Sequence, residues 1–179
     1  MNNKTLKIVI AALMAAMTCI ATMIIKIPSP TSGYIHLGDG LVLLSGIILG
    51  PIYGGLAAGI GSMFSDLFSG YAGYALATFL IKALAAVVGS FIFHALNVFF
   101  AKSGLKIVPV LFAGIGGGVV VTTGYFIFEA FLMGLGTAAA FTGVPFNLIQ
   151  NVFGVIVAAI LMPLLMKVQI IKEFMVRPA

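Results

Sequence analysis

The apolar runs of this chain are longer than a soluble core can use. Ala75–Phe100, Ile107–Leu132 and Pro145–Met166 each exceed twenty residues and contain, in turn, one lysine, one glutamate and no charged residue. About 20 consecutive apolar residues are what a helix needs to cross a bilayer. Lipid offers the backbone no hydrogen-bond partner, so such runs must be helical. Nine Lys/Arg and four Asp/Glu make only 7% of the 179 residues charged, against roughly 25% in soluble domains. That is too little to cover a globule with solvated surface. The sequence predicts an all-α membrane protein.

Three further runs complete a predicted six-helix bundle. Leu6–Ile25 reads as a retained first span rather than a cleaved signal, because it continues for about 20 residues. Leu37–Ile52 and Gly54–Phe68 are two short spans joined around the turn signal GPIYGG. The connections fall at KIPSPTSGYIH, SGYAGY and MGLGTAAAFTG, and near AKSGLK. Pro145 stands in the first turn of the sixth span, where proline is tolerated. With six spans both termini share a side, and that side collects Lys4, Lys7, Lys102, Lys106, Lys167, Lys172 and Arg177 against Lys26 on the other. The positive-inside rule then makes both termini cytoplasmic and turns loops 27–36, 69–74 and 133–144 outward. The net charge of +5 is explained by this topology rather than by nucleic acid, since the cations form no basic stripe.

This topology sends nearly all strongly polar groups of the spans to one depth. His36 and Asp39 lie at the outer mouth of the second span, Asp66 at the outer end of the third and Lys82 about two turns into the fourth. Glu129 lies near the outer end of the fifth, and Asn147, Gln150 and Asn151 share one face of the sixth. Charges within a bilayer are costly and are functional by default. They predict a substrate pocket open to the exterior, with His36, Asp39, Asp66, Tyr74, Lys82, Glu129, Asn147 and Asn151 as candidate ligands of a small polar heterocycle. Structural alternatives stand beside each. Lys82 can simply pair with Asp66 or Asp39, His36 and Asp39 can cap the second helix, amides can glue helices, and Tyr71 and Tyr74, beside the same mouth, can be interfacial residues or stacking walls for a ring.

Other classes lack their residues. One cysteine, Cys19, excludes an intrachain disulfide and a multi-cysteine metal site. His94 falls toward the inner half of its span, so no two-histidine metal site is expected. No GxxxxGK[ST] phosphate loop, spaced Ser/His/Asp set or paired catalytic acids occur, and neither enzyme activity nor a cofactor is predicted. Small-residue steps at Gly50/Gly54, Gly55/Gly59 and Gly114/Gly118 permit close helix packing. On the first helix, Ala11/Ala15 and Ala12/Ala16 offer a flat surface to a partner subunit.

The run GYIHLGD…GP.YG…GS..SD..SGY..YA..T..IK, within residues 30–90, resembles the S components of energy-coupling-factor (ECF) vitamin transporters. It is most similar to the branch for hydroxymethylpyrimidine and pyridoxine, often labelled riboflavin-type. The resemblance implies a single transmembrane domain over residues 1–179 in a prokaryotic cell membrane. It implies a substrate-binding subunit working with a transmembrane coupling subunit and two ATPases. It further implies that Ala11, Ala12, Ala15 and Ala16 pack on the coupling subunit, that the loop at 27–37 lids the site, and that the whole subunit topples to deliver its vitamin. A tricyclic such as riboflavin would want more aromatic surface than the predicted mouth offers. The competing readings are a riboflavin-type or other vitamin S component, a solitary proton-coupled carrier using Glu129 or Asp66, and a membrane enzyme with Glu129 as base.

Overall fold

The structure is a computed structural model describing residues 3–31, 33–100, 105 and 107–176. It is mostly helical. Helix α1 (Asn3–Ile24) leads into a small antiparallel hairpin of β1 (Lys26–Pro28) and β2 (Tyr34–His36), in which Lys26 pairs with His36 and Pro28 with Tyr34. Helical element α2 (Asp39–Phe68), α3 (Ala72–Phe100) and α4 (Val108–Ile127) follow, and α4 runs on through a π-helical turn at Phe128–Leu132. The short α5 (Thr137–Phe141), α6 (Val144–Leu165) and α7 (Gln169–Val176) complete the chain.

Among the described residues five helical stretches are long and apolar enough to cross a membrane, where the sequence predicts six. The difference lies in α2. At Gly50 the backbone leaves the helix (φ 78°, ψ −179°), a conformation that glycine alone adopts without strain. Pro51 then restarts the helix with no N–H to satisfy. The chain reverses there: Gly54 lies so tightly against the backbone of Ser45 and Gly46 that a side chain at 54 would collide with it. Residues 39–49 and 51–68 are thus two limbs of one hairpin, and Asp39 and Asp66 return to the same end of the bundle. The first limb, eleven residues or about 16 Å long, is shorter than the ~30 Å hydrocarbon layer.

This short limb is the centre of the molecule. Every residue from Asp39 to Leu49 is buried, with Leu44 and Ile47 completely so. It is wrapped by α1, α3 and α6, and Gly46 lets its backbone meet the carbonyl of Ala86 on α3 directly. The outward residues of the surrounding helices, such as Leu13, Leu80, Phe91 and Ile115, are large, apolar and exposed. That is the surface a bilayer solvates. The two alanine pairs of α1 part company here. Ala11 and Ala15 pack against the core, Ala15 with its carbonyl against Gly61, while Ala12 and Ala16 remain exposed.

The loops predicted to share one side do meet at one end. The Lys26 ammonium donates to Ser69 (2.8 Å), and Thr31 donates to Glu129 beyond α4. Of the cations behind the predicted orientation, Lys102, Lys106 and Arg177 lie outside the described residues.

Candidate functional site

At that end a cavity opens between the β1–β2 hairpin and the ends of α2, α3, α4 and α6. With the hairpin in this position it encloses about 30 Å³, room for a water molecule or two, so a ligand enters only as the hairpin gives way. It brings together five of the eight predicted site residues: His36, Asp66, Tyr74, Glu129 and Asn147. Tyr71 and Tyr74 both line it, and Tyr34, Tyr125 and Phe146, which the sequence did not single out, join them, so the cavity is lined with aromatic rings. Tyr34 and Tyr71 pack with centroids 4.6 Å apart, and Tyr74 meets Phe128 edge-on at 5.3 Å. Tyr125 carries a hydroxyl in the middle of an apolar run, a signal available in the sequence.

Two carboxylates hold the hairpin over the cavity. Tyr34 on β2 donates its hydroxyl to Asp66 Oδ1 at 2.7 Å. Burial pushes this phenol well above its ordinary pKa, so it remains a donor at any physiological pH. Thr31 donates to Glu129 Oε1 at 2.7 Å, and Tyr74 donates to the Thr31 carbonyl at 2.6 Å. Each carboxylate spends one oxygen this way. The second oxygens, Asp66 Oδ2 and Glu129 Oε2, are buried and have no hydrogen-bond partner among the described residues.

Asp39 and Lys82 lie beneath this cavity. Lys82 reaches across from α3 and forms a 2.6 Å salt bridge with Asp39 Oδ1. Gln150 of α6 donates to Asp39 Oδ2 at 2.8 Å and accepts from the His36 backbone N–H at 2.9 Å. The lysine is fully buried, its ammonium 5.3 Å from the centre of the Tyr125 ring. The pairing alternative, with Asp39 rather than Asp66 as partner, is therefore what the structure adopts for Lys82. Asp39 does not cap the helix it begins, because both its oxygens are engaged across the bundle. His36 does act on that helix start: its Nδ1 accepts the Gly38 N–H at 3.0 Å. Burial, reinforced by Lys82 and opposed by Asp39, lowers the His36 pKa to about 3. The ring is neutral at physiological pH.

Asn151 lies apart from the cavity. Its amide donates to the Gly118 carbonyl and to Thr122 Oγ1, both at 2.9 Å, and so ties α6 to α4. Among the described residues no cluster of three or more His, Cys, Asp or Glu side chains is arranged to hold a metal ion.

The arrangement is a candidate binding site: an aromatic box with two carboxylate oxygens unpartnered among the described residues, a hairpin hydrogen-bonded to those carboxylates, and the Lys82–Asp39 salt bridge behind Tyr125. Comparison with known proteins places it. A solved structure described as the structure and mechanism of the S component of a bacterial ECF transporter superposes with a TM-score of 0.68, covering 92% of this chain and 98% of that one at 19% identity. At that identity the likeness concerns the fold. A Pyrococcus woesei protein, described as an uncharacterized protein in the gap 3' region, is 33% identical over 140 residues, 77% of this chain and 86% of its own length. The family model described as the ECF-type riboflavin transporter, S component, matches residues 2–167. The chain belongs to this family of membrane proteins, the substrate-binding S components of ECF-type transporters.

Proposed function

We propose that this S component captures a small, singly ringed vitamin or vitamin precursor, of the pyridoxine or hydroxymethylpyrimidine kind, in the cavity beneath the β1–β2 flap. The observation that carries the reading is the pair of unpartnered carboxylate oxygens, Asp66 Oδ2 and Glu129 Oε2, in a box of tyrosines. Buried polar atoms are almost always partnered, so these oxygens mark where hydroxyl or amino groups of a ligand belong. His36 and Asn147 supply further polar contacts, and the tyrosines supply faces for a flat ring. Asp39 and Lys82 act as the rigid floor and Asn151 as a helix tie.

In this reading the cavity end faces outward and both termini face the cytoplasm. The hairpin of α2 supplies two of six helices, its short first limb buried among the others. The exposed Ala12/Ala16 face of α1 meets the coupling subunit, which works with two ATPases to topple the loaded subunit inward. Among the described residues the buried charged side chains, Asp39, Asp66, Lys82 and Glu129, gather toward the cavity end, which fits a body that rotates whole.

A riboflavin ligand is the second reading, and a specific observation favours it. Four tyrosines and Phe146 give the cavity more aromatic surface than the sequence promised, and the matching family model is described by riboflavin. The experiment that decides is mass spectrometry of small molecules released from the purified chain, followed by titration with pyridoxine, hydroxymethylpyrimidine and riboflavin. Tight binding of one, with uptake into proteoliposomes only when the coupling subunit, ATPases and ATP are present, is the expected result. Uptake by this chain alone under a proton gradient would establish the solitary carrier instead.

A further inference from the structure

We propose that the cavity selects a ligand by a fixed hydrogen-bond pattern, His36 donating and Asp66 and Glu129 accepting, and rejects any ligand carrying a negative charge. The inference rests on the substrate-binding reading and narrows the chemistry of what is bound.

The donor follows from one hydrogen bond. The Gly38 backbone N–H lies 3.0 Å from His36 Nδ1, and an amide nitrogen has only a proton to give. Nδ1 must therefore present its lone pair, and the single proton of the neutral ring resides on Nε2. Protonating Nδ1 would set two N–H groups face to face. Among the described residues Nε2 has no partner, and the ring lines the cavity. His36 thus offers one N–H to a ligand acceptor such as a ring nitrogen or carbonyl.

The acceptors follow from the carboxylates. Asp66 is 4% exposed and Glu129 3%, and each leaves one buried oxygen unused while the other holds the flap. Two ligand donors satisfy them. The charge rule follows from the cations. Among the described residues no lysine or arginine lines the cavity. Lys82 is locked to Asp39 below it, and Lys26 bonds Ser69 with its ammonium 5.7 Å from the centre of the Tyr34 ring. A phosphate or carboxylate on the ligand would face two acids, and the two cations whose charge reaches Asp66, Lys82 and Lys26, are already engaged by Asp39 and Ser69; like-charge juxtaposition of that kind is strongly unfavourable.

The test is calorimetric titration of the purified full chain in detergent with pyridoxine, hydroxymethylpyrimidine and riboflavin, then with the phosphate monoester and the uncharged acetate ester of whichever binds. Both esters remove a hydroxyl donor and add bulk; only one adds charge. The acetate should weaken binding by about 10–100-fold, and the phosphate by at least a further ~100-fold. A phosphate ester that binds as well as the acetate overturns the charge rule. The donor assignment is read by ¹⁵N NMR of labelled imidazole in a His94→Gln background, leaving His36 as the one histidine. Nε2 protonated and Nδ1 bare from pH 6 to 8 is expected, and the opposite tautomer overturns the assignment. Should none of the three vitamins bind, the vitamin reading itself fails, and the NMR result still decides the state of His36.

Discussion

Replacing Lys82 by methionine separates a floor residue from a ligand contact. The ammonium lies 2.6 Å from Asp39 Oδ1 and both side chains are buried. At an effective dielectric constant of 20 the gross attraction is about 6 kcal/mol, most of it offset by several kcal/mol of desolvation per ion. The intact pair therefore contributes little net stability. Removing one member is different, because it leaves Asp39 charged, buried and supported by Gln150 alone. Breaking a buried pair costs about 3–5 kcal/mol. The surviving amide bond puts Lys82→Met near the lower end, about 3 kcal/mol. At roughly 2–4 °C per kcal/mol for a chain of this size, the melting temperature should fall by roughly 6–12 °C. Adding Asp39→Asn removes the stranded charge and should recover more than half of that loss. Thermal unfolding of detergent-solubilised protein, followed by circular dichroism, measures both. Ligand affinity well below the transition should stay within about threefold, since less than 1 kcal/mol of contact is at stake. A Lys82→Met protein that melts like the parent but loses more than about 100-fold in affinity would refute the argument and return Lys82 to the ligand.

The remaining predictions concern the flap, the titration of His36 and the partner face. Tyr34→Phe removes the donor to Asp66 Oδ1, a charge-assisted bond worth about 1.5–3 kcal/mol; it should weaken ligand binding by about 10–100-fold, chiefly through faster release in stopped-flow traces, and unchanged release would show that this bond does not hold the flap. Because the His36 pKa is lowered from 6.5 to about 3, its contribution to stability is fully present above pH 6.5 and is lost as pH falls toward 3. In a His94→Gln background the loss should reach about 2 kcal/mol at pH 5, and His36→Gln should flatten that slope in pH-dependent melting; an equal slope without the imidazole assigns it to another group. Ala16→Leu, on the exposed face of α1, should block co-purification with the coupling subunit and leave melting unchanged, whereas Ala15→Leu, packed against Gly61, should lower the melting temperature; the reverse outcome would place the interface elsewhere.

Much of the architecture was legible because lipid imposes a simple rule. Long runs without charge must be helices, and α1, α3, α4 and α6 fall where those runs are. The turn signal GPIYGG also announced a break, realised at Gly50 and Pro51. The burial of the first α2 limb was not legible, since a membrane chain is apolar both where it faces lipid and where it faces its own core. Hydrophobicity separates span from loop and cannot separate inside from outside. Small residues do better: Gly46 and Gly54 mark close backbone contacts. The site was legible in part for the same reason that polar residues in spans are costly. His36, Asp66, Glu129 and Asn147 were found by polarity, together with Tyr74. Tyr34 and Tyr125 escaped because tyrosine passes for apolar in a count of hydrophobic residues, although Tyr125 places a hydroxyl within a span, where lipid could not satisfy it.

Polarity alone also cannot say which charged groups consume one another. Asp39, Asp66, Lys82 and Glu129 look alike in sequence, three acids and one base at one depth. The fold sorts them through the α2 hairpin, which sets Asp39 at the head of the innermost limb and Asp66 near the foot of the outer one. Lys82 reaches the inner acid and neutralises it. Among the described residues Asp66 and Glu129 take hydroxyl donors from the flap and form no salt bridge. Two hydroxyl protons compensate two carboxylates only partly, so the flap end of the bundle keeps acceptor capacity that the protein's own groups do not fill. On the proposed reading, a ligand at this end completes a network rather than merely filling a cavity. The same carboxylates hold the flap, so a ligand that satisfies their free oxygens also fixes their orientation toward Thr31 and Tyr34 and favours the closed hairpin.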